Sequence, residues 1–214
     1  TVSNNTSGYA GGGVYSFFDT DVYVERSTIS GNIALDVGGG FRGLGDLVIL
    51  NSTVSGHTST AWHGGGGFFT DAVTNVINST IVSNLSPAGT AGGFFVGTFT
   101  DASAALSVAN SIVSENANFN CFAGFFGAGA VSLVSDGYNV SGDASCNLVA
   151  AGDQPATSPL IDGLADNGGS TLTHALQSGS PAIDAANAAF CPPTDQRGVA
   201  RDAACDVGAF EFVP

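Results

Sequence analysis

The amino-acid sequence predicts an all-β protein built as a parallel β-helix of about five coils, followed by an irregular C-terminal cap tied by disulfides. Three observations support this prediction: a short motif that recurs five times, a glycine cluster soon after each of its first four copies, and four cysteines that all lie in the second half of the chain. The repeats predict the coils, and the cysteines predict how the region after them is held.

The recurring motif is a short run of Ser, Thr and β-branched residues that ends in Asn or His. Successive copies are 25 to 32 residues apart and close at Asn5, Asn32, His57, Asn84 and Asn116. A propeller blade needs about 40–45 residues, helical repeats need long stretches of 3.6-residue periodicity, and leucine-rich repeats need a leucine ladder. Here the apolar residues alternate with period two. Of the repeat architectures considered, only a parallel β-helix fits this pattern. Its coils stack at about 4.8 Å, the ordinary separation between strands.

Residues at equivalent positions of the copies should stack into columns along the helix axis. Alternation places one aliphatic residue of each copy inside, and these are Val2, Ile29, Val54, Ile81 and Val113. Asn tolerates the left-handed backbone angles of a corner, and its amide can hydrogen-bond the Asn of the next coil. We therefore expect structural ladders, one at Asn5, Asn32, His57, Asn84 and Asn116 and another at Asn51, Asn78 and Asn110.

The glycine clusters indicate tight bends rather than a ligand site. They lie at 11–13, 38–40, 64–67 and 92–93. A phosphate-binding loop would need a following helix and a Lys, and neither signal is present. Glycine at a bend is explained by the clash that a Cβ would make there.

Pairs of adjacent phenylalanines follow most of these clusters and suggest an interface. They are Phe17 and Phe18, Phe68 and Phe69, Phe94 and Phe95, and Phe125 and Phe126. In a strand, alternation turns one ring inward and the other outward, and a stripe of outward rings is typical of an interface. Two alternatives stay open: both rings of a pair lie inside at a bend, or the C-terminal region covers the stripe.

The first coil gives a second reason to expect self-association. The chain begins at TVSNN, in the middle of a repeat, with no polar cap before it. Its backbone groups should therefore be unpaired, which makes them a template for another chain or for further coils. The expected partner is another copy, in a homo-oligomer or a fibre.

The organisation changes near residue 135, so we divide the chain into coils at 1–135 and a cap at 136–214. Six of the seven prolines lie beyond this point. The cysteines are Cys121, Cys146, Cys191 and Cys205, without a CxxC pair, which favours two disulfides over a zinc site. Local closure favours the pairs 121–146 and 191–205 among three connectivities, and disulfides indicate an oxidising compartment.

The charge excludes several classes of partner. The net charge is −14, there is no Lys, and four Arg are the only fixed cations. Nucleic acids and anionic lipid surfaces need a basic face, which this chain cannot provide. No apolar run approaches 18 residues, so no membrane span is expected.

The C-terminal region resembles a known family. The segments that carry the resemblance are SDGYN (135–139), LADNGGSTLTHAL (164–176), SGSPAIDAAN (178–187), TDQRGVAR (194–201) and CDVGAFEF (205–212). Together, over about residues 110–214, they resemble the choice-of-anchor Q domain. The resemblance implies a bacterial protein that is secreted or held at the cell surface, with right-handed β-helix coils before this domain. It brings no catalytic residues.

The same region contains the strongest candidate for chemistry. Four acids, Asp184, Asp195, Asp202 and Asp206, surround Arg197 and Arg201 in the sequence. They could form a calcium site or a carboxylate pair for glycoside hydrolysis. The alternative, which we favour, is that bidentate guanidinium–carboxylate bonds lock the cap.

These observations favour a non-enzymatic extracellular structural or adhesive protein that needs no cofactor and self-assembles. The alternative is a β-helix that binds or cleaves a polysaccharide, with cell-surface polysaccharide as the partner. A remote alternative is an ice-binding solenoid, because outward hydroxyls recur at Thr1 and Ser3, Thr28 and Ser30, and Thr53 and Ser55.

Overall fold

A computed structural model describes residues 1–18, 20–62, 64–87, 89–98, 103–125 and 128–214, without the side chain of Phe125. The described chain contains 19 strands and one short 3₁₀ helix, Ala188–Phe190. No helix in these ranges is long and apolar enough to span a membrane. The strands follow one another in coils, and the coils pass through the sheets in the same order, although coils 4 and 5 contribute no strand to sheet B.

The coils contain the following strands. Coil 1 has β1 (Val2–Ser3), β2 (Thr6–Ser7), β3 (Val14–Ser16) and β4 (Val22–Glu25). Coil 2 has β5 (Thr28–Ser30), β6 (Ile33–Ala34), β7 (Phe41–Gly43) and β8 (Leu47–Leu50). Coil 3 has β9 (Thr53–Ser55), β10 (Thr58–Ser59), β11 (Phe68–Thr70) and β12 (Val73–Ile77). Coil 4 has β13 (Thr80–Val82), β14 (Ala91–Thr98) and β15 (Ala104–Ala109). Coil 5 has β16 (Ile112–Ser114), β17 (Phe119–Phe125) and β18 (Val131–Gly137), and β19 (Val140–Ser141) begins another turn.

Four parallel sheets run along the solenoid. Sheet A is ordered β1-β5-β9-β13-β16-β19, sheet B β2-β6-β10, sheet C β3-β7-β11-β14-β17, and sheet D β4-β8-β12-β15-β18. All of these strand pairings are parallel. The predicted parallel β-helix of about five coils is therefore confirmed. The boundary expected after residue 135 falls inside β18, so the fifth coil ends slightly later than expected.

The interior is built from stacked columns. On sheet A, Val2 is in register with Ile29, Ile29 with Val54, and Ile81 with both Val54 and Val113. On sheet C the inward column contains Phe41, Phe68 and Phe94, and the last two rings stack with centroids 5.1 Å apart. Each coil thus buries its apolar residues against the coils above and below it.

One Asn ladder runs along the corner between sheets A and B. The backbone N–H of Asn5 donates to Oδ1 of Asn32 (2.9 Å), and that of Asn84 donates to Oδ1 of Asn116 (3.0 Å). His57 takes part in the same way, because its Nδ1 accepts from the Asn32 N–H and its own N–H donates to Oδ1 of Asn84. The ladder continues to Asn120, whose Oδ1 accepts from the amide of Asn116.

The second set of corner asparagines behaves differently from the prediction. Asn51, Asn78 and Asn110 do have left-handed backbone angles, with φ between 45° and 50°. Their side chains, however, do not bond one another: Asn51 Nδ2 donates to the carbonyl of Thr194, and Asn110 Nδ2 donates to that of Asn187. Asn78 has only a long contact to a cysteine sulfur. At this left-handed corner the side chains reach the C-terminal region instead of the next coil.

A serine ladder that was not predicted takes over at this corner. The backbone N–H of Ser27 donates to Oγ of Ser52, that of Ser52 to Oγ of Ser79, and that of Ser79 to Oγ of Ser111. Each hydroxyl then donates to the carbonyl two residues earlier, as Ser52 does to Leu50. The recurrence of Ser at the start of four copies of the motif was the signal for it.

The glycine clusters permit close approach of backbone, as expected. A Cβ on Gly40 would lie 2.6 Å from Cδ2 of His57, and a Cβ on Gly39 would lie 2.5 Å from the carbonyl oxygen of Thr58. Both distances are below normal contact. The bends therefore need glycine for steric reasons.

The region after the coils has two parts. Residues 142–154 cross the end of coil 5, and they place Cys146 and Leu148 in the main hydrophobic core. The disulfide between Cys121 and Cys146 ties this loop to β17. We call residues 142–154 the end loop.

Residues 155–214, which we call the tail, do not cap the end of the solenoid as expected. The tail turns back along the outer face of sheet A: Oγ1 of Thr28 donates to the Leu172 carbonyl, and Oγ1 of Thr53 donates to Oε1 of Gln196. Val82 and Ile112 of sheet A form one apolar cluster with tail residues that include Leu176, Val207 and Phe210. The second disulfide, Cys191–Cys205, lies within the tail. The outward residues of sheet A are apolar or hydroxyl-bearing, and without the tail they would be exposed to solvent.

The Asn84 rung tests the energetic role of the ladder. Asn84→Ala removes the acceptor of the His57 N–H and the donor to the carbonyl of Val54, both buried. We expect the free energy of unfolding to fall by about 1–3 kcal/mol for stranding such groups. Urea denaturation measures this, with Ser132→Ala as the control, because Ser132 is exposed on β18. An unchanged midpoint for Asn84→Ala would show that the ladder does not stabilise the fold.

Candidate interaction surface

The acidic cluster of the tail is a structural lock. The Asp195 carboxylate accepts hydrogen bonds from the backbone N–H groups of Arg197, Val199 and Glu211 and from Nε of Arg197. It is fully buried. The guanidinium of Arg197 also lies 3.5 Å from the centroid of the Phe210 ring. Both oxygens are therefore used in holding a turn.

The Arg201 guanidinium holds the other part of this cluster together. It donates to the carbonyls of Asp206 and Gly208, to Oε2 of Glu211 and to Oδ1 of Asn51 on the solenoid. Burial raises the pKa of Asp206 to about 6, although its carboxylate accepts two backbone N–H bonds. Among the described residues, no group of His, Cys, Asp or Glu is placed to hold a metal ion.

A buried serine–histidine pair also serves the docking of the tail. Oγ of Ser55 lies 2.9 Å from Nε2 of His174, whose Nδ1 is 2.8 Å from the carbonyl oxygen of Asp162. Such a pair resembles part of a hydrolase site. Both side chains are buried between sheet A and the tail, and burial lowers the pKa of His174. The pair fastens the tail to the solenoid.

The hydroxyl rows proposed for ice binding are covered. Thr28, Ser30, Thr53 and Ser55 are all buried beneath the tail, so they do not form an exposed array. Thr1 and Ser3, on coil 1, remain exposed. Polar groups of the tail bond the hydroxyls of Thr28, Thr53 and Ser55.

The prediction of an exposed phenylalanine stripe is wrong for coils 3 and 4. Phe68 and Phe94 point inward, as expected, but Phe69 and Phe95 on the outer side of sheet C are also buried. Their rings stack 4.8 Å apart at an angle of 6°. The residues that pack with them are Ala10 and Val37, with Tyr15 and Ala61 at the margin. The loops between sheets B and C thus fold over the outer rings.

The end of the predicted stripe is only partly described. Phe122 continues the outer stack, with its ring 5.0 Å from that of Phe95, and it is partly exposed. Phe126 lies outside the described residues, and so does the side chain of Phe125. The guanidinium of Arg42 takes the place of a ring one coil before Phe69, 4.4 Å from that ring's centroid.

At coil 1, by contrast, several aromatic side chains are exposed together. Phe17 is 65% exposed, Phe18 59% and Tyr9 66%. The ring of Tyr15 lies 5.1 Å from that of Phe17 and 6.5 Å from that of Tyr9. Tyr23 of sheet D is also exposed on this coil.

In the described chain, β1, β2, β3 and β4 of coil 1 are each the terminal strand of their sheet. The inward residues of this coil are only half-buried, unlike those of coils 2 to 4. They border a groove of ≈ 300 Å³ lined in part by Val2, Val14 and Val24.

Arg26, at the end of coil 1, differs from the other three arginines in its ion pairing. Three arginines have ion-pair partners, namely Arg42 with Asp71, Arg197 with Asp195, and Arg201 with Glu211. Arg26 is exposed and makes no ion pair with any residue in the described ranges. It follows Glu25, the exposed last residue of β4.

No family model, no curated protein and no solved structure matches the chain.

Proposed function

We propose that this chain is a non-enzymatic extracellular protein with a structural or adhesive role, which associates with other copies of itself through the exposed aromatic rings of coil 1. The observation that carries the proposal is the exposure of Tyr9, Phe17 and Phe18 on this coil, where the rings of Tyr9 and Phe17 both lie beside that of Tyr15. Exposed apolar patches of this kind are typical of interaction sites.

The extracellular assignment is supported by the disulfides and by the resemblance of the tail. Two disulfides in one small chain are typical of an oxidising environment. The tail segments resemble the choice-of-anchor Q domain, which implies a secreted or surface-held bacterial protein. The acidic net charge of −14 keeps such a chain soluble.

A neutral polysaccharide is a second candidate partner. Exposed rings at Tyr9 and Phe17 can stack on the apolar faces of sugars. The negative charge of the protein disfavours acidic glycans. Pull-down on insoluble neutral glycans tests this candidate, and retention that Tyr9→Ala abolishes would support it.

Sedimentation velocity tests self-association. The 21.2 kDa chain should sediment as a heavier species at micromolar concentration. The variant Phe17→Ser/Phe18→Ser should weaken association about tenfold or more, because each exposed ring contributes at least about 1 kcal/mol on burial. Val149→Ser, which changes an 82% exposed residue on the end loop, is the control and should associate normally. Equal behaviour of both variants would exclude the aromatic rings from the interface.

A further inference from the structure

We infer that the edge of coil 5 binds an extended segment of another protein, which adds a strand beside β18, places an apolar side chain in the groove there and carries a positive charge near Asp136. This surface is separate from the aromatic rings of coil 1, so the inference goes beyond the proposed function and does not depend on it. Its basis is a stretch of free backbone, an apolar groove and the charges around them.

The backbone of β18 has a free side. β18 is the last strand of sheet D, and the chain continues through β19 into the end loop and the tail, which leave this edge open. The carbonyl of Ala130 accepts from the N–H of Ala104 in β15, and successive residues of a parallel ladder point their backbone groups to opposite sides. Val131 and Leu133 therefore direct N–H and C=O away from β15, where nothing in the described ranges bonds them.

The interior of coil 5 is incompletely covered beside this edge. Ala123 of β17 is in register with fully buried Val96, yet it is exposed. Leu133 is in register with buried Leu106, yet it is only partly buried. Both residues line a groove of ≈ 440 Å³ whose walls include the exposed ring of Phe119. The end loop thus covers one part of the core and leaves another part open.

Backbone and groove together identify the occupant as a polypeptide strand. A strand beside β18 offers N–H and C=O groups at the spacing of Val131 and Leu133, which is the basis of recognition by strand addition. Because side chains alternate along a strand, every second residue of the added strand turns toward the interior, beside Leu133. A small apolar molecule would fill the groove but leave the backbone groups without ladder partners.

The charges around the edge favour a cationic segment over a second copy of this chain. Asp136 is exposed at the end of β18, and Asp143 and Asp153 lie in the end loop. The four arginines lie in coils 1 and 2 and in the tail. A second copy would bring a further net charge of −14 to this acidic edge, which opposes its approach. A segment with Lys or Arg beside its apolar residues has the complementary charge.

A blocked peptide of alternating Thr and Val with Lys at both ends is the probe. Titrated against the full chain in a calorimeter, it should bind, and the same peptide with Glu at both ends should bind at least about tenfold more weakly. A third peptide has two adjacent prolines at its centre, which removes N–H donors in either register. It should not bind, because the added strand would lose its ladder.

Amide hydrogen exchange locates the bound peptide. The N–H groups of Val131 and Leu133 should exchange freely in the chain alone and at least about tenfold more slowly with the Lys peptide. Those of Ser132 and Val134 face β15 and should be protected in both states. This pattern of alternate residues distinguishes strand addition from attachment to the groove alone.

Variants of the chain test the groove and the charge separately. Ala123→Phe fills the groove and should weaken binding of the Lys peptide at least about tenfold. Ala203→Phe makes the same change at an exposed residue of the tail and should bind like wild type. Asp136→Asn should weaken binding by about threefold, as expected for an exposed charge pair.

Each outcome decides the inference. Binding of the Lys peptide, with slower exchange at Val131 and Leu133 and loss in Ala123→Phe, supports it. No binding, or binding that neither the prolines nor Ala123→Phe reduces, would overturn it. Exchange at the same two N–H groups that slows with protein concentration alone would show that a second copy takes the edge, and would overturn the choice of partner. Phe17→Ser/Phe18→Ser should bind the peptide like wild type, so failure of the proposed self-association leaves this test unaffected.

Discussion

Replacing Arg201 with Met should lower the free energy of unfolding by about 3–5 kcal/mol, the usual cost of removing one partner of a buried ion pair. The Arg201 side chain is 1% exposed, and its partner Glu211 is 4% exposed. Without the guanidinium, the carboxylate stays buried without its cation, and the carbonyls of Asp206 and Gly208 lose their donor. Oδ1 of Asn51 on the solenoid loses its donor as well, so that only the bond from Asn51 Nδ2 to Thr194 still joins this residue to the tail.

Two measurements detect this effect. Urea denaturation gives the change in stability, and limited proteolysis shows whether the tail separates from sheet A before the coils unfold. Arg26→Met is the matched control, because Arg26 is exposed and makes no ion pair in the part of the chain described. At concentrations where the chain is monomeric, it should change stability by less than about 0.5 kcal/mol. Similar stability of the two variants would show that the lock does not hold the tail.

The coils could be predicted because each structural requirement recurs once per coil. The inward column from Val2 to Val113 and the ladder from Asn5 to Asn116 repeat the same chemistry at the same position. When the same residue type recurs at the same position of each coil, its neighbours are the equivalent residues of the adjacent coils, so its surroundings can be inferred from the sequence. Ser27 and its equivalents carry the same kind of signal.

The position of the tail could not be predicted in this way. Its contacts join residues far apart in the sequence, such as Thr28 to Leu172 and Thr53 to Gln196, and none of them repeats. The outward alternation of sheet A indicates a solvated face, while burial depends on whether another segment covers it. The same reason explains Phe69 and Phe95, which alternation turns outward but the loops beside sheet C enclose.

His57→Asn should remove an acid sensitivity of about 3 kcal/mol from the solenoid. Burial lowers the pKa of His57 from 6.5 to about 4. The unfolded chain takes up a proton near the ordinary pKa, whereas the folded chain resists it. The contribution of neutral His57 is therefore complete above about pH 6.5 and is lost as the pH falls toward 4, at about 1.4 kcal/mol per pH unit.

The ring contacts explain why the folded state excludes the proton. Nδ1 of His57 accepts from the backbone N–H of Asn32, and Nε2 lies 2.9 Å from the carbonyl oxygen of Ile29, to which it donates. Protonation at Nδ1 would turn this acceptor into a second donor facing the Asn32 N–H. Asn fills the same rung in the adjacent coils and has no proton to gain, so it can replace His57 without acid sensitivity.

The measurement is the difference in unfolding free energy between wild type and His57→Asn, taken by urea denaturation at several values between about pH 7 and pH 4. A comparison is needed because Asp206 acts in the opposite direction: its raised pKa, about 6, lets the folded chain hold a proton that the unfolded chain releases. That contribution is common to both proteins and cancels. The free energy of unfolding of His57→Asn should rise steadily relative to that of wild type as the pH falls below 6.5. Asn84→His makes the reverse exchange one coil further on, and its free energy of unfolding should fall relative to that of wild type over the same range. Parallel curves for wild type and His57→Asn would mean that the ladder accommodates a charged imidazole, contrary to the contacts that hold it.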